Sequence, residues 1–274
     1  MLSRKEKFEG SRVQQLPLYQ VDAFASRPFA GNPAAVLVLD EWLSDHDMLA
    51  IAEENNIAIT AFVRPNGDNW ALRWFTPTME ASFCGHGTLA TAHVLATERG
   101  IAGDFAFDTL AGLLRVSRDE DKYALDLPSL PPEAVMEVPP IIADIVGDRR
   151  QQAFVTTRHW IVVLESEEAV RGFTPDLEKI AMLHPLSFVV TAEGERHDFV
   201  SRHFAPGAGV PEDSVTGSTH STLVPYWARK LDKNRLSAFQ CSRRGGHLEC
   251  EFDGDRVRII GKAVTYLKGT VQLP

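Results

Sequence analysis

The sequence predicts an α+β protein of two similar lobes, and three observations carry that expectation. A motif-bearing stretch occurs twice, each copy runs on into a helical pattern, and each helix is followed by an alternating strand, polar turn and strand. Residues 73–87 read RWFTPTMEASFCGHG and residues 202–219 read RHFAPGAGVPEDSVTGST. Phe75 falls on Phe204 and Pro77 on Pro206 at an offset of 129. A three-residue insertion then brings Glu80 onto Glu212, Cys84 onto Thr216 and Gly85 onto Gly217 at an offset of 132. The helical stretches are TLATAHVLATERG and HSTLVPYWARKL. The hairpin stretches, GLLRVSRDEDKYALDLP and GHLECEFDGDRVRIIGK, match at an offset of 134 from Gly112 to Gly246. Four features in one order at nearly one spacing point to duplication.

Boundaries follow from composition. Residues 1–17 are polar and predict a flexible extension, without the apolar core of a signal peptide. The N-terminal lobe is expected over 18–130 and the C-terminal lobe over 135–262, with the proline-rich LPSLPPEAVMEVPP (127–140) as linker. Residues 263–274 are expected to return to the N-terminal lobe as a strand. At 274 residues the chain is long enough for two lobes, since roughly 150 residues make a domain.

Composition narrows the function classes. With 37 acidic against 28 basic residues and a formal charge of −9, the chain is a poor candidate for nucleic acid or an anionic membrane surface. Its longest apolar runs, such as PAAVLVL, fall far short of the roughly 20 residues that span a bilayer. Three sparse cysteines, Cys84, Cys241 and Cys250, make no disulfide framework, and the last two read as core residues on strands. A cytoplasmic protein is expected. No P-loop, dinucleotide fingerprint or hydrolase elbow is present, and His93, His197, His203 and His220 lack metal-ligand spacing. No cofactor and no metal are therefore expected.

The repeated element is the candidate site. The opening N–H groups of a helix lack intrahelical partners, and the dipole there favours negative charge. Gly85, Gly87, Thr216, Gly217 and Thr219 surround the two helix starts as small residues that let a ligand approach the backbone. Two such starts facing one another would hold a small carboxylate. His86 is the candidate proton carrier, because imidazole titrates near neutral pH. Asp213 could cap or polarise the second helix start, and Ser218 could cap it, bind substrate, or do both. Cys84, at a helix entry, would have a lowered pKa if exposed and could then act as an acid/base thiol.

These residues are where a family resemblance enters. The stretches VDAFASRPFAGNPAAVLVLD, NNIAITAFV, RWFTPTMEASFCGHGTLATA, RHFAPGAGVPEDSVTGSTHSTLVPYW and SRRGGHLE resemble the PhzF-like (phenazine-biosynthesis-like) family, of the diaminopimelate-epimerase-like fold. The resemblance implies two pseudo-symmetric lobes, each a curved, mainly antiparallel sheet around a central helix, with the active site between them. It further implies a cofactor-independent isomerase or epimerase, commonly a homodimer, with functional positions at His86, Asp213 and Ser218 and backbone donors at Gly85 and Gly217. One departure matters more than any match. The family pattern Asn-Leu-Ser-Glu-Thr-Ala-Phe carries a glutamate acid/base, and here Ile59 holds that position in Asn56-Ile57-Ala58-Ile59-Thr60-Ala61-Phe62. Glu53 and Glu54 lie a few residues earlier on a predicted helix. Losing a general acid/base typically removes about 10²–10⁴-fold in rate. Three readings follow: an isomerase or epimerase, a dehydratase-type lyase of a hydroxy amino acid, and a non-catalytic ligand-binding member. The first places Cys84 and His86 on one side of the reacting carbon and Asp213, Thr216 and Ser218 on the other. In it, either Cys84 takes over as acid/base, resembling the Cys/Thr pairing of hydroxyproline dehydratases, or His86 and Asp213 suffice.

Overall fold

The computed structural model describes residues 14–135, 137–147 and 150–273, so the first thirteen residues of the expected extension lie outside the described residues. The N-terminal lobe contains β1 (Gln14–Ala23), β2 (Asn32–Val38), α1 (Asp45–Asn55), β3 (Ile59–Asn66), β4 (Asn69–Phe75), β5 (Glu80–Ala81), α2 (Gly85–Thr97), β6 (Phe105–Thr109), β7 (Gly112–Asp119) and β8 (Lys122–Pro128). The connection carries β9 (Glu133–Ala134) and α3 (Pro140–Val146). The C-terminal lobe follows with β10 (Arg150–Val155), β11 (His159–Leu164), α4 (Glu167–Arg171), α5 (Leu177–Ala181), β12 (Ser187–Glu193) and β13 (Phe199–Ala205). It ends with β14 (Val210–Asp213), α6 (Gly217–Leu231), β15 (Arg235–Gln240), β16 (Gly246–Asp253) and β17 (Arg256–Leu273).

Residues 14–17 of the expected extension are strand residues of β1. Gln14 to Pro17 pair with Thr270 to Leu273, so the backbone ladder, not side-chain hydropathy, orders them.

Strand pairing repeats element by element. In the N-terminal lobe β2 runs parallel to β3 and β3 antiparallel to β4, while β4 pairs parallel with β6. In the C-terminal lobe β11, β12, β13 and β15 repeat those three pairings with the same senses. Hairpins β7–β8 and β16–β17 complete the correspondence. The 18-residue β17 is shared. Its first half pairs with β16 and β8, and its second half pairs with β1, which closes the N-terminal ring. Two-residue β9 pairs with β10 on the other lobe.

Each lobe wraps its strands around a helix. Every residue of α2 from Gly85 to Ala96 is buried, and α6 is buried along most of its length, with Trp227 among the largest fully buried side chains. A helix buried all round must satisfy every polar group it carries, and in GHGTLATAHVLAT the hydroxyls of Thr88, Thr91 and Thr97 donate to the carbonyls of Cys84, Gly87 and His93. The repeat extends to one ion pair. Arg73 grips Glu80 through Nε and Nη2 at 2.7 Å each, and Arg202 grips Glu212 the same way at 2.7 and 2.9 Å. Each two-pronged pair pins the short returning strand, β5 or β14, beside the strand it leaves.

The lobes are joined by Arg244 and by an aromatic wedge. Arg244 donates to Asp22 Oδ1 at 2.7 Å and to the Gly31 carbonyl at 2.8 Å. Phe24, held at φ 58°, inserts its ring beneath α6, where a Cβ on Gly217 would lie 3.4 Å away. The same ring presses on Gly261 of β17, where a Cβ would overlap it. Glycine at 261 is thus required by contact. Gly261→Ala should destabilise the protein by about 1–3 kcal/mol, the usual cost of overpacking, read as a lower urea midpoint at unchanged m-value. An unchanged midpoint would show that Phe24 is free to move.

Candidate active site

Between the lobes lies a cleft of about 660 Å³, and the two helix starts meet on its floor. A Cβ on Gly85 would lie 3.7 Å from Gly217 Cα and 3.7 Å from the Ser218 nitrogen, so α2 and α6 abut head to head. Each end carries about half a positive charge from its helix dipole. Of the residues picked from the sequence, Cys84, Gly85, His86, Asp213, Thr216, Gly217 and Ser218 line the cleft, whereas Gly87 and Thr219 are packed behind it.

Asn32, which opens β2, ties the site together. Its amide nitrogen lies 2.6 Å from Asp213 Oδ1, 2.9 Å from the Val215 carbonyl and 3.2 Å from His86 Nδ1. The first two are pure acceptors and take its two hydrogens most strongly. With both Asn32 hydrogens so engaged, His86 Nδ1 faces an amide nitrogen that has no lone pair to accept with, and a Cys84 thiol at 3.5 Å that can donate, which places the ring proton on Nε2. Burial holds His86 below the usual imidazole range, with the Asp213 charge pulling the other way. The neutral ring is a donor through Nε2–H.

The second helix start is organised differently from expectation. Thr216, not Ser218, is the N-cap residue, and its hydroxyl makes no capping bond but donates to Asp213 Oδ2 at 2.6 Å. Asp213 accordingly caps no helix N–H. It accepts from Asn32 on one oxygen and Thr216 on the other, which orients the carboxylate and leaves each oxygen a further lone pair. Gln240 at the end of β15 supplies the missing support: it accepts from the Thr216 N–H at 2.8 Å and donates to the Asp213 carbonyl at 2.7 Å. Ser218 lines the cleft from the first turn of α6.

Cys84 departs from its expected state. It is 7% exposed, and burial pushes its thiol up to about 12; the Gly87 N–H opposes this shift and the Asp213 charge adds to it. The lowered pKa expected of an exposed helix-entry thiol is absent because desolvation outweighs the dipole. The sulfur instead caps α2, accepting from the Gly87 N–H at 3.3 Å. Ile59 is 3% exposed, lines the cleft, and packs where a Cβ on Gly87 would lie 3.2 Å from its Cγ2. Glu53 and Glu54 are exposed on α1 and do not line the cleft. The remaining wall carboxylate, Glu212, is held by Arg202.

The repeat, the paired helix starts and the fixed order of the two motifs find their match among known proteins. The family model described as "Phenazine biosynthesis-like protein" matches residues 21–269. The chain belongs to the PhzC-PhzF family. An uncharacterised isomerase of Pseudomonas aeruginosa is 46% identical over 269 residues, covering 94% of this chain and 99% of that protein. Phenazine biosynthesis-like domain-containing protein 2 of Mus musculus is 40% identical, covering 94% and 99%. Among solved structures, a PhzF family protein of Enterococcus faecalis superposes with a TM-score of 0.91 at 43% identity, covering 95% of this chain and 100% of that one. A hydroxyproline epimerase of Agrobacterium vitis shares the fold at a TM-score of 0.63 and 12% identity, covering 94% and 93%. These likenesses bear out the α+β architecture and the PhzF resemblance, and place this chain in a family whose named members include isomerases. Among the described residues, no helix is long and apolar enough to cross a membrane and no cluster of three or more His, Cys, Asp or Glu could hold a metal ion.

Asn32 and Gln240 were not singled out in the sequence. Asn32 precedes a proline, and Asn-Pro reads locally as a turn. Its partner Asp213 lies 181 residues away, which no local pattern reports.

Two outcomes follow. Cys84→Ala should cost about 1 kcal/mol through loss of the α2 cap, while Cys84→Ser should retain most of the stability in urea unfolding. The second concerns pH. Burial lowers His93, His159 and His220 to about 4, and holds His203 well below the usual range. Between pH 4 and 6.5 the unfolded chain therefore binds more protons than the folded one, so stability falls as pH drops through that window. Each histidine contributes a slope of at most about 1.4 kcal/mol per pH unit. A flat unfolding free energy from pH 6.5 to 4.5 would contradict the burial of these rings.

Proposed function

We propose that the protein is a cofactor-independent isomerase or epimerase of a small carboxylate-bearing metabolite, acting by proton abstraction at a carbon beside that carboxylate. The observation that carries this reading is the contact of the two helix starts beside the Asp213–Asn32–His86 network. The opening N–H groups of α2 and α6, at Gly85, Gly217 and Ser218, have no carbonyl partner within their own helices and suit a carboxylate. Asp213 takes the proton. The C–H electron pair moves into an enediolate, where the two positive helix ends and His86 Nε2–H lower its energy. Cys84 remains a neutral thiol that caps α2. Ser218 binds the substrate through its hydroxyl at the cleft edge.

Ile59 favours a second reading, in which the pocket binds a carboxylate ligand without turning it over. A lyase acting on a hydroxy amino acid is the third, and product mass separates it from an isomerase. Incubation in D₂O with α-amino, hydroxy-amino and unsaturated cyclic acids, followed by NMR, decides among them. We expect deuterium at carbon with the wild-type protein. Asp213→Asn should lower turnover at least about tenfold with an unchanged melting temperature. Thermal-shift binding without any deuterium uptake would leave the ligand-binding reading standing in place of the enzyme.

A further inference from the structure

The pseudo-two-fold relation assigns counterparts to the cleft residues on the paired strands and helix starts, and the counterparts of the apolar corner around Ile59 are polar. The parallel ladder of β2 and β3 opens with Ala34 opposite Ile59; that of β11 and β12 opens with His159 opposite Ser187. One step further, Ala61 opposes Trp74 in one lobe and Val189 opposes His203 in the other. Ile59 and Trp74 crowd Gly87, whose counterpart is Thr219. Where the N-terminal lobe has Ala34, Ile59, Trp74 and Gly87, the C-terminal lobe has His159, Ser187, His203 and Thr219.

These four residues form a connected set. His159 Nδ1 lies 2.6 Å from Ser187 Oγ, the rings of His159 and His203 meet edge to face at 5.4 Å, and His203 Nδ1 lies 2.8 Å from Thr219 Oγ1. All four are buried, yet His203 lines the cleft, so with Nδ1 engaged its free nitrogen is Nε2. His203 is also the direct cross-strand partner of Asp213 in the β13–β14 ladder. Side chains directly opposite on antiparallel strands leave the same face with Cβ atoms about 5 Å apart. The His203 ring and the Asp213 carboxylate thus leave the same face of this strand pair, in the lobe across the cleft from Ile59.

We propose that His203 is a second proton carrier of this cleft, receiving from Asp213 the proton taken from carbon and delivering it at a second position on the substrate. This role rests on the carbon-acid reading above. The balance closes without a co-reactant. The C–H bond breaks and an Asp213 O–H bond forms, with the electron pair left in the enediolate. That proton moves to His203 Nε2 while Nδ1–H donates to Thr219, giving an imidazolium beside the regenerated Asp213 carboxylate. The imidazolium then gives its proton to carbon, the new C–H bond forms, and both side chains return to their starting states. Burial makes the imidazolium costly, so it is a strong acid that does not hold the proton. Thr219 is a positioning residue, and His159 with Ser187 fixes the far side of the ring.

The test separates abstraction from delivery on a substrate that the wild-type protein exchanges and converts in D₂O. His203→Asn keeps an amide within reach of Thr219 but has no protonatable nitrogen. It should retain deuterium uptake at the abstraction carbon while conversion to isomer falls about 10²-fold. Asp213→Asn should lose both. Conversion at the wild-type rate in His203→Asn would overturn the delivery role alone, as would loss of uptake together with conversion. No uptake by the wild-type protein on any acid of the panel would overturn the underlying reading and this role with it. His203→Gln carries the same expectation should asparagine prevent folding.

Discussion

The arrangement that the rest of the molecule serves is the head-to-head contact of two buried helix N-termini. Two positive dipole ends in contact repel one another, and a low-dielectric interior strengthens that repulsion. The fold answers with geometry and with charge. Glycines at 85 and 217 let the two backbones meet, and Phe24 beneath Gly217 sets how α6 sits against the shared strand. The Asp213 carboxylate stands beside the junction, held by Asn32 from one lobe and Thr216 from the other. A substrate carboxylate would add negative charge where the unpaired field is strongest. On the proposed reading, the fold supplies the anion-favouring field and the residues around it supply the chemistry.

Duplication was legible because it leaves local marks. The Phe-x-Pro triplets, the small residues at the helix starts and the acidic turns each obey short-range rules of turn and cap chemistry. The Arg–Glu pairs show how deep the repeat goes: Arg73 with Glu80 and Arg202 with Glu212 fall at matching positions in both copies. What was not legible depends on distance and burial. Asn32 reaches across 181 residues and Arg244 reaches Asp22 across 222. Cys84 shows the other limit, since a helix-entry thiol has opposite pKa shifts exposed and buried, and only packing decides between them. The order of residues 14–17 follows from a ladder with the far end of the chain, which their polarity does not reveal.

Symmetry of the scaffold does not extend to the side chains of the cleft. The N-terminal wall is apolar around Ile57, Ala58, Ile59 and Phe83, while the C-terminal wall carries His203, Asp213, Thr216 and Ser218. Epimerisation by two bases needs a proton carrier on each face of the reacting carbon. Here the hydrogen-bonded carboxylate and the cleft histidine His203 stand on one strand pair, β13–β14, and His86 joins them through Asn32 rather than from an independent wall. That placement favours a proton that leaves and returns on one face, moving along the substrate instead of through it. The apolar wall would then seat the substrate's hydrocarbon body, while its carboxylate sits on the helix ends. In a duplicated fold, Ile59 in place of a carboxylate is thus better understood as polarity concentrated in one lobe than as a simple loss, because its own counterpart is Ser187 and the counterparts of its neighbours Ala34 and Trp74 are the buried histidines His159 and His203.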